Sequence, residues 1–189
     1  LYGLNALILN ASYFGVPQAR KRFFLIGNLN GSHDSLINAF QDKVSEKPMS
    51  VRDYLGGGLS IQNYYRHPRN YNRRGIFSID EPSPTIRGVN RPLPASYKEK
   101  GMVPNGVNLD DIRPLTSKER SFIQTFPKNF ILEGPKTHID QMIGNAIPVN
   151  LAKVVGEVIK EFDKKSKSNK NIVLKNSTDF NYPSIISIP

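Results

Sequence analysis

The sequence predicts a mixed α/β protein whose scaffold is interrupted by a basic, loop-rich unit. Three observations predict it. Two short apolar runs, residues 4–9 and 23–26, lie close together near the start. An apolar stripe at helical spacing runs through residues 151–162. Between them, residues 50–113 are rich in Gly, Pro, Asn, Tyr and Arg, the composition of binding loops carried on a small scaffold.

Residues 1–10 read as a buried strand through Leu4, Ala6, Leu7, Ile8 and Leu9, and Gly15 and Pro17 then punctuate a turn. Residues 22–27 read as a second strand, and the continuous run Phe23-Phe24-Leu25-Ile26 suits one covered on both faces. Residues 28–50 are polar, with a short helix expected around 35–44. Short, irregular strands are expected in 50–113, with Gly56-Gly57-Gly58 as a flexible turn. Between residues 61 and 98 seven Lys/Arg stand against two Asp/Glu, and four of the eight tyrosines (Tyr64, Tyr65, Tyr71, Tyr97) lie there. Thr116 and Glu119 form a capping box that satisfies two free N–H groups at a helix start, and Pro127 stops that helix with Phe122, Ile123 and Phe126 on one face. Pro148 suits the first turn of the last helix, whose stripe is Leu151, Val154, Val155, Val158, Ile159 and Phe162. Residues 163–189 read as a basic, polar tail, mobile or packed on a partner.

The chain has 189 residues and a formal net charge of +10, which favours polyanionic partners. Cysteine is absent, so these residues offer no disulfide, thiolate metal site or thiol nucleophile, and His33, His67 and His138 show no metal-ligand spacing. No stretch approaches the ~20 apolar residues of a membrane helix. The chain starts at Leu1 without a basic, cleavable leader, which reads as a break inside a larger protein; a cytoplasmic setting, with no metal and no membrane partner, is expected.

Three segments could carry chemistry. In Gly15-Val16-Pro17-Gln18-Ala19-Arg20-Lys21-Arg22, the residues Gln18, Arg20 and Arg22 alternate, so an extended backbone puts an amide and two guanidinium forks on one face, able to bind phosphate or a base edge. Arg113-Pro114-Leu115-Thr116-Ser117-Lys118-Glu119, running on to Gln124-Thr125-Phe126-Pro127, reads by itself as a capped amphipathic helix. In Ile143-Gly144-Asn145-Ala146-Ile147-Pro148, small and polar residues precede a helix whose free N–H groups could hold a polar ligand head.

In this order and spacing, with the basic stretch between the first two, the three segments resemble the last three motifs of the DNA cytosine-5 methyltransferase family over about residues 1–162. Pro82-Ser83-Pro84-Thr85-Ile86-Arg87 resembles the Thr-plus-aliphatic element that the family places at the DNA major groove. The resemblance implies the C-terminal portion of a Rossmann-like catalytic domain plus a small DNA-recognition domain. Residues 1–50 would be partial catalytic domain, 51–132 the recognition domain, 133–162 a return segment packing on the catalytic domain, and 163–189 the tail. It implies double-stranded DNA as partner and S-adenosylmethionine as cofactor. Arg22 would contact the flipped cytosine, with Gln18 and Arg20 shaping its pocket. Asn145, Ala146 and Ile147 would line the methyl-donor site. Thr85, Ile86, Arg87 and Arg91 would approach the bases, with Arg87 the candidate for a guanine edge. Arg66, Arg69, Arg73 and Arg74 would meet phosphates.

The family's cysteine nucleophile, its acidic partner and its glycine-rich cofactor loop belong to a part not matched here. The expectation is therefore a C-terminal fragment or subunit of a restriction-modification enzyme, inactive alone and completed by an N-terminal half. The alternative is a non-catalytic DNA-binding remnant.

Overall fold

The computed structural model describes residues 2–29, 32–70, 73–97, 103–168 and 185–189; Tyr71, Lys98 and tail residues 169–184 lie outside these. The first strand, β1 (Tyr2–Asn10), pairs antiparallel with β3 (Lys21–Leu29) in a register running from Tyr2↔Leu29 to Asn10↔Lys21. A 3-10 turn (Ala11–Tyr13) and the two-residue strand β2 (Gln18–Ala19) connect them. The C-terminal strand β7 (Ile185–Ile188) adds parallel to β1, giving the order β3-β1-β7.

Side-chain period 2 gives this sheet two unequal faces. Leu7 and Leu9 point to one face with Phe24, Ile26, Ile186 and Ile188 beside them. That face is covered by α1 (Ile37–Gln41) through Phe40 and by the last helix, α5 (Val149–Ser168), through Leu151 and Val158. The other face is open. Phe23, Leu25, Leu29 and Ile185 are 55–65% exposed. The continuous apolar run of β3 is thus covered on one face only, because the described residues place nothing over the second.

The tail also departs from its sequence reading. The last helix continues to Ser168: Lys164, Lys165 and Lys167 are good helix formers, the last two also complementing the helix C-terminus, and Lys167 pairs with Asp163 one turn back at 2.7 Å. Residues 185–188 join the chain's own sheet, where Ile188 is buried. The Ser/Asn-rich composition of the intervening stretch hides this β-branched strand. In the stripe of α5, only Ile159 faces solvent substantially.

A second core joins Val51, Leu59, Tyr64, Ile79, Ile86, Leu115, Ile123 and Ile143. Its elements are short: α2 (Val51–Leu55), β4 (Asn63–Tyr65) paired antiparallel with β5 (Ile76–Ser78), and β6 (Ser83–Pro84). To these are added α3 (Ser117–Ile123), with the expected Thr116–Glu119 capping box, and α4 (Lys136–Asn145). Beside it, Tyr65, Ile76, Tyr97 and Ile112 form a smaller third cluster. Helix α4 has no counterpart in the sequence reading, where Gly144 near its end marks a turn. The apolar stretch that runs from α4 into α5 is interrupted by the break at residues 146–148, so neither helix alone is long and apolar enough to cross a membrane.

Candidate DNA-recognition and base-pocket site

Strand β2 pairs parallel with β6, matching Gln18 with Ser83 and Ala19 with Pro84, while the Ser83 N–H donates to the Pro17 carbonyl at 2.9 Å. This lays the first motif against the segment leading to Thr85-Ile86-Arg87. Gln18 is fully buried. Its Oε1 accepts from the Ile86 N–H at 2.9 Å, and its Nε2 donates to Gln124 Oε1 at 2.9 Å. Gln124 Nε2 donates in turn to the Ile143 carbonyl at 2.6 Å, and the Gln124 carbonyl accepts from the Val149 N–H at 3.0 Å.

Arg20 is buried as well. Its Nη1 donates to the Ile86 carbonyl at 2.9 Å, and its Nη2 to the carbonyls of Gly144 at 2.9 Å and Ala146 at 3.1 Å. Burial, with Arg22 nearby, lowers its pKa to about 10, still far above neutrality. The fork expected to meet a ligand instead gathers three backbone carbonyls. Gln18 and Arg20 therefore brace the site from inside and do not line an open pocket. Of the three alternating residues Arg22 is the accessible one, with one hydrogen bond among the described residues, donated to the Lys21 carbonyl at 2.7 Å. Burial lowers its pKa too.

Gly144 lets α4 touch the recognition segment: an added Cβ would lie 2.2 Å from the Gly88 nitrogen and 2.3 Å from the Arg87 carbonyl carbon. Arg120 donates to the Arg87 carbonyl and pairs with Asp140 at 2.5 Å, both side chains being 4% exposed. Asp140 also accepts from Ser117 at 2.7 Å and Lys136 at 3.1 Å. Arg120 and Ser121 thus share the inward face of α3 with Ile123, which is fully buried as the sequence suggests, while Phe122 and Phe126 are only half-buried.

The helix-start reading of the third motif is also corrected. The Val149 and Asn150 N–H groups are taken by the Gln124 carbonyl and by Thr125 Oγ1 (2.9 Å), with Thr125 held at φ 60. Asn145 and Ile147 remain exposed side by side, with Ala146 half-buried between them. An amide and an aliphatic side chain there fit one wall of a site for an adenosyl group, and the described residues form no enclosed pocket around them.

In the recognition segment Thr85 Oγ1 donates to the Ala19 carbonyl at 3.0 Å. Ile86 is buried in the second core, so it supports the loop and does not reach a groove. Arg74 is committed as well: it donates to the Ile76 carbonyl at 2.7 Å, pairs with Glu81 and lies over the Phe77 ring at 4.6 Å. Arg73 and Arg91 are exposed and Arg87 half-buried. A cleft of about 300 Å³, which the sequence gives no sign of, opens beside them, with Arg66, Arg69, Arg87 and Arg91 among its lining residues.

The fold and this arrangement define a methyltransferase-like α/β scaffold with a basic, loop-rich unit braced onto it. The family of C-5 cytosine-specific DNA methylases matches residues 1–161, and the chain belongs to that family. It is 63% identical over 163 residues to the Type II methyltransferase M.HindV of Haemophilus influenzae, a match covering 86% of this chain and 54% of that protein. It is 54% identical over 151 residues to the Type II methyltransferase M.HgiDI of Herpetosiphon aurantiacus, covering 80% and 48%. The crystal structure of the S. pombe Dnmt2 methyltransferase superposes with a TM-score of 0.51 at 15% identity, over 86% of this chain and 58% of that one, a likeness of fold. The chain thus spans about half the length of the relatives it matches.

Proposed function

We propose that this chain supplies the DNA-recognition unit and one side of the cytosine and methyl-donor pockets of a DNA cytosine-5 methyltransferase of the type II kind for which its relatives are named. The carrying observation is the buried network through Gln18, Arg20 and Gln124. It ties the Ile86–Arg87 segment to the Gly144–Ala146 turn, while Arg22, close enough to Arg20 to lower its pKa, stays partly accessible. A purely structural use of these polar groups would not need a partly exposed guanidinium two residues beyond Arg20 whose one hydrogen bond among the described residues goes to the adjacent Lys21 carbonyl.

A base inside a duplex is out of reach, so the target cytosine must be extruded at the cost of unstacking. Arg22 can donate to the carbonyl and ring-nitrogen acceptors of that base and hold it in register. Asn145 and Ile147 would form part of the wall of the donor site. S-adenosylmethionine, when bound, supplies the methyl group. The thiolate that attacks C6 comes from polypeptide outside these 189 residues, which contain no cysteine. The test combines this chain with the N-terminal half of a matching relative and assays methyl transfer to cytosine C5 in DNA. Transfer by the mixture and none by the pure chain is expected; C5 methylation by the pure chain, or none by a mixture shown to associate, overturns the reading.

A further inference from the structure

Eight of the nine arginines in residues 51–132 fall into two classes, the exception being Arg73, which is exposed and lines no part of the cleft. Four are matched with carboxylates: Arg52 with Asp80, Arg74 with Glu81, Arg113 with Glu119 and Arg120 with Asp140. Four others, Arg66, Arg69, Arg87 and Arg91, line one cleft of about 300 Å³. No carboxylate is among the described residues lining it, and Arg120, at its base, is already neutralised by Asp140. The floor is apolar, from Ile86, Leu115 and Tyr64.

The charges inside the cleft oppose one another. Burial, Arg87 and Arg69 together lower the Arg66 pKa to about 10, and burial and Arg69 lower that of Arg87. Arg66 is anchored by a hydrogen bond from Nη2 to the Thr85 carbonyl at 3.1 Å. Converging cations in a concave, partly apolar site are relieved by a bound anion, because attraction strengthens as the dielectric falls. A guanine edge offers two acceptors and no net charge, so it leaves the repulsion in place. A phosphodiester brings a full negative charge and matches the guanidinium fork.

We propose that Arg66, Arg69, Arg87 and Arg91 form one anion subsite that takes a backbone phosphate of the bound DNA, with Arg87 a member of that subsite and not a reader of a base edge. This rests on the reading that the chain binds DNA. It changes what recognition by this loop means: Arg87 fixes the position of the duplex, and discrimination falls to other groups.

The experiment uses this chain combined with the N-terminal half of a matching relative, as the parent and with Arg69→Ala and Arg87→Ala. Arg69 is exposed and makes no hydrogen bond or ion pair among the described residues, so its loss leaves the fold intact. Affinities are measured over a salt series for the target duplex, for single-base variants of it, and for target duplexes in which one phosphate at a time is replaced by an uncharged methylphosphonate. Each substitution is expected to weaken the target and the variants by the same factor, and to reduce the slope of log affinity against log salt by about 1. One methylphosphonate position should abolish the difference between Arg69→Ala and the parent, and the same position that between Arg87→Ala and the parent. A loss by Arg87→Ala confined to the target, or the absence of any coupled position, overturns the subsite. Methyl transfer by the parent protein is followed in parallel. Transfer without a coupled phosphate removes the subsite and leaves the enzyme; a coupled phosphate without transfer keeps the subsite and removes the proposed activity.

Discussion

Arg20 and Arg22 stand two positions apart and do opposite things. Arg20 is folded inward on three carbonyls, whereas Arg22 makes one hydrogen bond among the described residues, to the Lys21 carbonyl. Truncating the first strands the carbonyls of Ile86, Gly144 and Ala146. A buried acceptor deprived of a charged donor costs about 1–3 kcal/mol, so Arg20→Ala is expected to destabilise the protein by roughly 2–5 kcal/mol. Arg20→Lys should recover little, because one compact ammonium cannot reproduce a fork that reaches two separate segments. Urea unfolding gives both values; a lysine variant as stable as the parent would show that charge alone suffices. Arg22→Ala should behave differently. Phosphate contacts dominate DNA affinity, so a residue that holds one extruded base contributes mainly to turnover. Single-turnover methylation by the completed enzyme should fall well over ten-fold with DNA affinity within a few-fold of the parent. Unchanged turnover would remove Arg22 from the base pocket.

At the scale of elements, the recognition segment is held by helix α4 from one side and by α3 from the other. Gly144→Ala would drive a methyl group into the backbone of Arg87 and Gly88. Overpacking of this kind costs about 1–3 kcal/mol, and here the loop must move to relieve it. The expected signature is a modest loss of stability together with weakened discrimination between target and non-target DNA; a loss of stability alone would show that the loop tolerates the shift. The α3–α4 contact is also pH-dependent. Burial opposes ionisation of Asp140, but Ser117, Lys136 and Arg120 outweigh it and keep its pKa below the ordinary 3.8. Its folded pKa is depressed, so its stabilisation is full above the unfolded value and is lost as pH falls through the folded one. Asp140→Asn should therefore cost about 3–5 kcal/mol at neutral pH by leaving Arg120 buried and unpaired, with the gap to the parent narrowing in denaturation curves below about pH 4. A gap that stays constant with pH would assign the stabilisation to the hydrogen bonds and not to the charge. These contacts explain what was legible in the sequence and what was not. The capping box at Thr116, the strand β1 and the stripe of α5 are local patterns, and they are readable. That Gln18 meets Gln124, or that Arg74 rather than Arg87 finds an acid, depends on pairs far apart in sequence or on which side of a short strand a residue falls. Nothing local encodes the cleft, and Gly144 reads as a turn until its close contact with residues 87–88 is seen.

The molecule as a whole is half-covered. The sheet carries a filled core under one face, while the other presents Phe23, Leu25, Leu29 and Ile185 to solvent. In addition, β3 is a nine-residue strand at the end of the order β3-β1-β7, with no partner strand on its outer edge among the described residues. Long apolar edge strands recruit other strands, and natural proteins cover or charge them. The chain spans only about half of its relatives' length; under the proposed function, the polypeptide that brings the nucleophile would also cover this face. Two physical consequences follow for the chain by itself: its open face should bind a hydrophobic dye strongly, and it should self-associate in a concentration-dependent way through β3. Phe23→Lys with Leu25→Lys should suppress both without unfolding the protein, since neither side chain belongs to the covered core. The same pair of changes should also abolish association with the complementary half, and with it methyl transfer, although DNA binding by the recognition unit persists. Sedimentation velocity of the chain with and without that half separates the cases. A parent chain that stays monomeric and dye-free, or a double variant that still assembles into an active enzyme, would place the joining surface somewhere other than this face of the sheet.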